Sequence, residues 1–156
     1  MLLRLIFRLV AKTSQDVCGF SPMSKKGGTM SKMIIETGQA NKNPINSQGV
    51  KKNNVLFTSQ KAAIDPKENQ LVGIGDIKTQ TGRVIRNILA IVEAGGGTKA
   101  DIVKINVYLK NKNDLQDMNE VYRQFFPGEL PARSLILSTF VDDRMLLEMD
   151  AIAIVG

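Results

Sequence analysis

The chain has 156 residues, 43% hydrophobic and 23% charged, with a formal charge of +6, one cysteine and no histidine. That length holds one domain with a true core, not two of comfortable size. Without histidine there is no Ser-His-Asp or Cys-His nucleophile and no histidine metal ligand, and the lone Cys18 excludes an internal disulfide or a thiolate cluster.

The positive charge is unevenly placed. Residues 1–32 hold six Lys/Arg and one acid, and therefore +5 of the +6; the remainder is nearly neutral. Bulk charge thus gives the body no case for a phosphate-backbone partner. Within the leader, Arg4, Arg8 and Lys12 recur every four residues, opposite Leu2, Leu5, Ile6, Leu9 and Val10, and the first acid is Asp16. An acid-poor, Arg-bearing amphipathic helix is the pattern of a mitochondrial presequence. The alternative is an extension ahead of a start at Met30 or Met33, which leaves a cytoplasmic protein. Charges break this run within its first twelve residues, so it cannot span roughly 30 Å of hydrocarbon. Ser21 to Thr29 is small and polar, as suits a linker. The chain therefore divides into a leader, 1–32, and a domain, 33–156.

In the domain, Met33-Ile34-Ile35 predicts a first strand, and Thr37 to Ser47 a polar loop turning at Asn43-Pro44. A second strand starts at Gln48-Gly49-Val50. After a turn at Lys51 to Asn54, Val55 to Ser59 is β-branched and apolar, a third strand. Asp65-Pro66-Lys67 is a turn, and Leu71-Val72 a short further strand. Gly75 to Gly97 predicts a helix, capped by Asp76, with Val84, Ile88, Ile91 and Val92 on one face and the triple glycine as its end. Those glycines follow a helix instead of preceding one, the wrong side for binding phosphate; no Walker A or GxGxxG pattern occurs. Asp101 to Lys110 alternates, with Val103, Ile105, Val107 and Leu109 as the buried row. Asn113, with Gln116 in capping-box position, predicts the start of a second helix bearing Leu115, Met118, Tyr122 and Phe125, stopped by Pro127-Gly128. Strands over Ala132 to Ser138 and Met145 to Val155 complete the order β-β-β-α-β-α-β-β. The last is apolar on both faces, which predicts a central place or contact with another subunit. The fold class is α+β: a mixed sheet with two helices on one face and an apolar opposite face that invites oligomerisation.

Two charges interrupt the apolar C-terminal strands: Arg133 at the mouth of one and Glu148 inside the next. An arginine there offers a planar fork for a carboxylate or phosphate. A carboxylate in apolar surroundings has a raised pKa and can hold water or trade a proton. Asn119, at the edge of the second helix's apolar face, adds an amide, and Ser59 a hydroxyl. By spacing alone, a structural ion pair between adjacent strands is the favoured reading of Arg133 and Glu148. Asn119 as a helix-surface residue, Ser59 as a backbone-bonded strand end, and Tyr108 and Tyr122 as core-edge aromatics stay open as plainer readings.

Pro131-Ala132-Arg133-Ser134, Leu147-Glu148-Met149 and Ala151-Ile152-Ala153 resemble the signature of the Rid/YjgF family, also called L-PSP endoribonuclease-like. Supporting stretches are Ser47-Gln48-Gly49-Val50, Phe57-Thr58-Ser59, Asp65-Pro66-Lys67, Asn87-Ile88-Leu89, Asp101 to Lys104 and Met118 to Tyr122. The resemblance covers Met33 to the C-terminus. It implies a chorismate-mutase-like homotrimer whose sheets form a central barrel, with a cleft at each subunit interface. It also implies hydrolysis of reactive enamines and imines, such as 2-aminoacrylate, to 2-oxo acids and ammonia, with no metal or organic cofactor. Arg133 would grip the substrate carboxylate, Glu148 would position or activate water, and Asn119 and Ser59 would line the cleft. The sequence departs from the family at Asn46 (usually tyrosine), Gln60 (glycine), Leu135 (cysteine) and Val141-Asp142 (Leu-Pro). Asn46 and Gln60 bear on the pocket.

Two other functions remain. An endoribonuclease or translation inhibitor is disfavoured by the neutral body and by 5% aromatics, which leave no basic groove or stacking surface. A non-enzymatic small-acid-binding trimer is favoured by Asn46 and Gln60.

Overall fold

The computed structural model describes residues 31–156. The expected leader lies outside them, save Ser31 and Lys32. Six strands and two α-helices follow in the predicted order. They are β1 (Met33–Ile35), β2 (Gly49–Lys52), β3 (Val55–Thr58), α1 (Ile77–Ala94), β4 (Ile102–Leu109), α2 (Leu115–Phe125), β5 (Ala132–Leu137) and β6 (Leu147–Ile154). They form one sheet in the order β1-β2-β3-β6-β4-β5. All neighbours are antiparallel except β4 and β5, which are parallel because α2 crosses between them.

The period-two pattern of β6 decides the middle of the sheet. Leu147, Met149, Ala151 and Ala153 are buried against the helices. Glu148, Asp150 and Ile152 stand half-buried on the opposite face. β6 lies between β3 and β4, the central position its two apolar rows predict. Val84, Ile85, Ile88, Ile91 and Val92 of α1 fill the other half of the core, each at most 1% exposed. Burying a side chain of this size contributes about 1.5–3 kcal/mol. Asp76 caps α1 as expected, accepting from the amides of Lys78 and Thr79 at 2.9 and 3.2 Å. At the other end Gly95 packs so closely that a methyl group there would overlap Leu56 and lie 2.8 Å from Ile35 Cδ1. The chain turns away at Gly96, whose φ of +86° favours glycine.

Four local expectations are corrected. Ile102 pairs with Ala153 and Lys104 with Ile152, so a bulge leaves Val103 out of the register. Val103 is 45% exposed, and Ile102 takes its place in the core. The second helix is not started by a capping box at Asn113 and Gln116. Asn111 Oδ1 accepts from Asn113 N at 3.0 Å, and a 3-10 turn over Lys112–Asp114 leads into α2. Both asparagines are good caps; the point at which β4 releases the chain selects the earlier one. Leu71 forms only an isolated bridge with Ile64, where a strand was expected. The second strand begins at Gly49, one residue after the expected Gln48. Gln48 instead turns its amide into the 37–47 loop, donating to Ala40 O at 2.7 Å.

The sheet face away from the helices carries an apolar row across four strands. Ile34, Val50, Phe57 and Ile152 are successive cross-strand partners, and Ile34 and Phe57 are 45% and 49% exposed. No helix among the described residues is long and apolar enough to cross a membrane.

Candidate functional site

Arg133 pairs with Ile105 in the parallel β4–β5 register, which sets it on the helix-facing row. β5 is an edge strand, so the side chain is not sealed in but reaches across the edge to α2. There Nη1 donates to Asn119 Oδ1 at 2.7 Å, and the guanidinium carbon lies 5.1 Å from the centre of the Tyr122 ring. A neutral amide and an aromatic face thus orient the arginine without neutralising it. Among the described residues no carboxylate pairs with it. The group opens into a recess of about 200 Å³ lined by Asn119, Tyr122, Arg123, Leu130, Pro131 and Arg133. A larger recess, about 510 Å³, runs beside it under Val103, Phe126 and Leu130, but Arg133 does not line it. The smaller one is the recess that Arg133 and Asn119 line.

Glu148 occupies the opposite face. It pairs with Tyr108 across the β4–β6 register, on the row away from the helices. Burial pushes its pKa above the ordinary glutamate value, and the positive charge of Lys61 partly offsets the rise. Tyr108 is raised as well, by burial first and then by Asp150 and Glu148. Asp150 accepts from Asn106 Nδ2 at 2.8 Å. The ion-pair reading of Arg133 and Glu148 is therefore overturned for a single chain. β4 lies between their strands, so these are not adjacent, and the two side chains leave the sheet on opposite faces.

Ser59 follows β3. Its amide donates to Gln48 O at 2.8 Å and its hydroxyl to Ser47 O, so the plainer reading of a backbone-bonded strand end describes it. Its oxygen retains acceptor capacity. Asn46 and Gln60 are both exposed. The structure thus joins two of the four expected site residues, Arg133 and Asn119, and sets Glu148 and Ser59 apart from them.

Two buried residues near these groups escaped the sequence reading. Tyr122 was expected at the core edge; it is 4% exposed, yet its ring faces the Arg133 guanidinium. Its hydroxyl is buried without a hydrogen-bond partner. Its position three residues after Asn119 on a helix is a signal that both share a face. Lys61 was not singled out. It is 2% exposed, and only the apolar Ala62-Ala63 that follows hints that the chain has turned inward there.

Known proteins supply the context. A family model described as Endoribonuclease L-PSP matches residues 39–155. A RutC family protein of Pyrococcus abyssi is 44% identical over 126 residues, 80% of this chain and 98% of that protein. A 2-iminobutanoate/2-iminopropanoate deaminase of Dermatophagoides farinae is 31% identical over 109 residues, 70% of this chain and 84% of that one. Among solved structures, E. coli TdcF with bound serine has a TM-score of 0.74 at 32% identity, covering 80% of this chain and 99% of that one. The conserved architecture and the extent of the sequence match agree: the chain belongs to the endoribonuclease L-PSP family, the Rid/YjgF family of the sequence resemblance.

Proposed function

We propose that this protein hydrolyses small 2-imino and enamino acids, such as 2-aminoacrylate and its tautomer 2-iminopropanoate, to 2-oxo acids and ammonia. The observation that carries the reading is Arg133: an exposed guanidinium, oriented by Asn119 and Tyr122, with no acidic partner among the described residues. Its remaining N–H groups suit a substrate carboxylate. Water adds to the imine carbon, and the resulting carbinolamine loses ammonia to leave the oxo acid. Glu148, with its raised pKa, takes a proton from the attacking water and returns one to the departing nitrogen. Ser59 lines the cleft and offers its oxygen to this water. The similarity to an imine deaminase supports this chemistry, as does the serine bound to TdcF for a small amino-acid-like ligand.

Because Arg133 and Glu148 lie on opposite faces, one copy does not assemble the whole site. A homotrimer with its sheets around a central barrel brings the Arg133–Asn119 edge of one copy to the Glu148 face of the next. The exposed Ile34–Val50–Phe57–Ile152 row is apolar surface suited to that packing.

The test generates 2-aminoacrylate in situ with a dehydratase and follows pyruvate release. Acceleration by the wild-type protein is expected. No acceleration, with a 2-oxo acid still bound at Arg133, would leave the small-acid-binding trimer; RNA cleavage lost on mutating Arg133 would leave the endoribonuclease. For residues 1–32 we propose mitochondrial targeting, and a fluorescent reporter fused to them that stays in the cytoplasm would refute it.

A further inference from the structure

We propose that Arg123 is a specificity-determining residue of the Arg133 site. With Lys112 in the adjoining recess it receives a second carboxylate, so the substrate class is 2-imino diacids, which carry a carboxylate on the side chain as well as beside the imine. The imine rests on the deaminase reading; the grip on two carboxylates does not. Arg123 and Arg133 line the same recess of about 200 Å³. A second recess, about 370 Å³, adjoins it: Asn119 and Arg123 line both, and Lys112, Asn113 and Gln116 supply the rest of its polar wall. No aspartate or glutamate lines either one. Like charges gathered without a counter-ion repel each other, so the fold gains nothing from this grouping until an anion enters.

The second helix sorts its charges by face. Gln116, Asn119 and Arg123 recur at spacings of three and four and therefore share one side of α2. Asp117 and Glu120, acids of the same helix, turn to α1, where Lys78 Nζ lies 3.3 and 2.7 Å from their carboxylates. Neither Arg123 nor Lys112 forms an ion pair among the described residues. The helix dipole accounts for a base in the last turn, where Arg123 stands, but gives no such benefit to Lys112, ahead of the first turn. Glu148 of a neighbouring copy, brought to this edge by the deaminase reading, answers one of the three positive charges. The two that remain match the two carboxylates of a diacid. A nucleic-acid strand would need exposed rings for its bases to stack on, and Tyr122, the aromatic residue of this recess, is 4% exposed.

The experiment is isothermal titration calorimetry of 2-oxoglutarate and 2-oxopentanoate on wild type, Arg123→Gln and Arg123→Lys. These product analogues share a chain length and differ in the distal carboxylate. Wild type should bind the diacid about tenfold tighter or better, as one added charge-assisted hydrogen bond allows. That ratio should shrink as salt is raised to roughly 0.5 M. In Arg123→Gln the ratio should fall to within about threefold of unity, and Arg123→Lys, which keeps the charge, should retain part of it. A wild-type ratio near unity, no binding of 2-oxoglutarate, or a ratio that Arg123→Gln leaves unchanged overturns the proposal. Should the variants not fold, the wild-type ratio decides, and one that salt does not reduce overturns it. Turnover is not needed. Pyruvate release from 2-aminoacrylate with a flat ratio sinks this inference alone; a diacid preference without pyruvate release sinks the deaminase reading alone.

Discussion

Replacing Arg133 by alanine tests the centre of the functional reading. Nη1 is committed to Asn119 at 2.7 Å, which leaves the other guanidinium N–H groups for the substrate carboxylate. A hydrogen bond to a charged group contributes about 1.5–3 kcal/mol. Loss of a bidentate clamp, two such bonds, should therefore cost about 3–6 kcal/mol in transition-state binding. At 1.36 kcal/mol per tenfold, that is a fall of about 150- to 25,000-fold in kcat/KM. Arg133→Lys keeps the charge but not the planar fork, and should recover only part of the loss. The side chain is exposed and, among the described residues, pairs with no acid, so only the Asn119 bond and the Tyr122 contact are lost and stability should fall by about 0.5–1.5 kcal/mol. Asn119→Leu removes only the orienting bond, and a loss of about 5- to 30-fold is expected from 1–2 kcal/mol. The assay is pyruvate release from 2-aminoacrylate, with thermal unfolding as the control. An Arg133→Ala protein that folds normally and keeps kcat/KM within about threefold of wild type would refute the clamp.

Glu148→Gln should lower kcat by about 10²- to 10⁴-fold, since a neutral amide cannot move the proton. In wild type, activity should fail on acidification at a pH above the ordinary glutamate value, because burial raises this carboxyl's pKa. An acid limb at or below that value in a pH–rate profile would contradict the assignment. Gln80, fully buried in α1, donates to Gly73 O at 3.1 Å and Arg144 O at 2.9 Å, and accepts from Leu146 N at 2.8 Å. Gln80→Leu keeps the volume but leaves Arg144 O and Leu146 N, just ahead of β6, without this partner, while Gly73 O keeps its bond from Asp76 N. Urea unfolding should show a loss of about 2–4 kcal/mol at an unchanged slope. Asp76 has a lowered pKa, from the Thr79 hydroxyl first and then the Thr79 amide. A depressed folded-state pKa gives stability that is present above the unfolded value and lost as pH falls through the folded one. Asp76→Asn keeps an acceptor but does not titrate. The melting-temperature gap between wild type and this variant should therefore shrink below about pH 4; a gap constant down to pH 2 would exclude the linkage.

Much of this protein follows from the order of its residues. The alternation in β6 placed that strand centrally, because a row of apolar side chains on each face needs neighbours on both sides. Asp76 ahead of the Val84–Val92 stripe, with glycines behind it, marked both ends of α1, because capping and termination are local chemistry. Sequence context singled out Arg133, Glu148, Asn119 and Ser59 as candidate site residues. Their mutual arrangement was not. Whether two side chains meet depends on strand order and on the parity of each pairing register, and both are set by non-local pairing. Inserting β4 between β5 and β6, with Arg133 opposite Ile105 and Glu148 opposite Tyr108, turned an apparent salt bridge into two separate groups on opposite faces. The bulge at Val103 and the burial of Lys61 arose in the same way. Nothing in Ser59-Gln60-Lys61 distinguishes a surface lysine from a buried one until the backbone of residue 61 pairs with Met149 and carries the charge out of water.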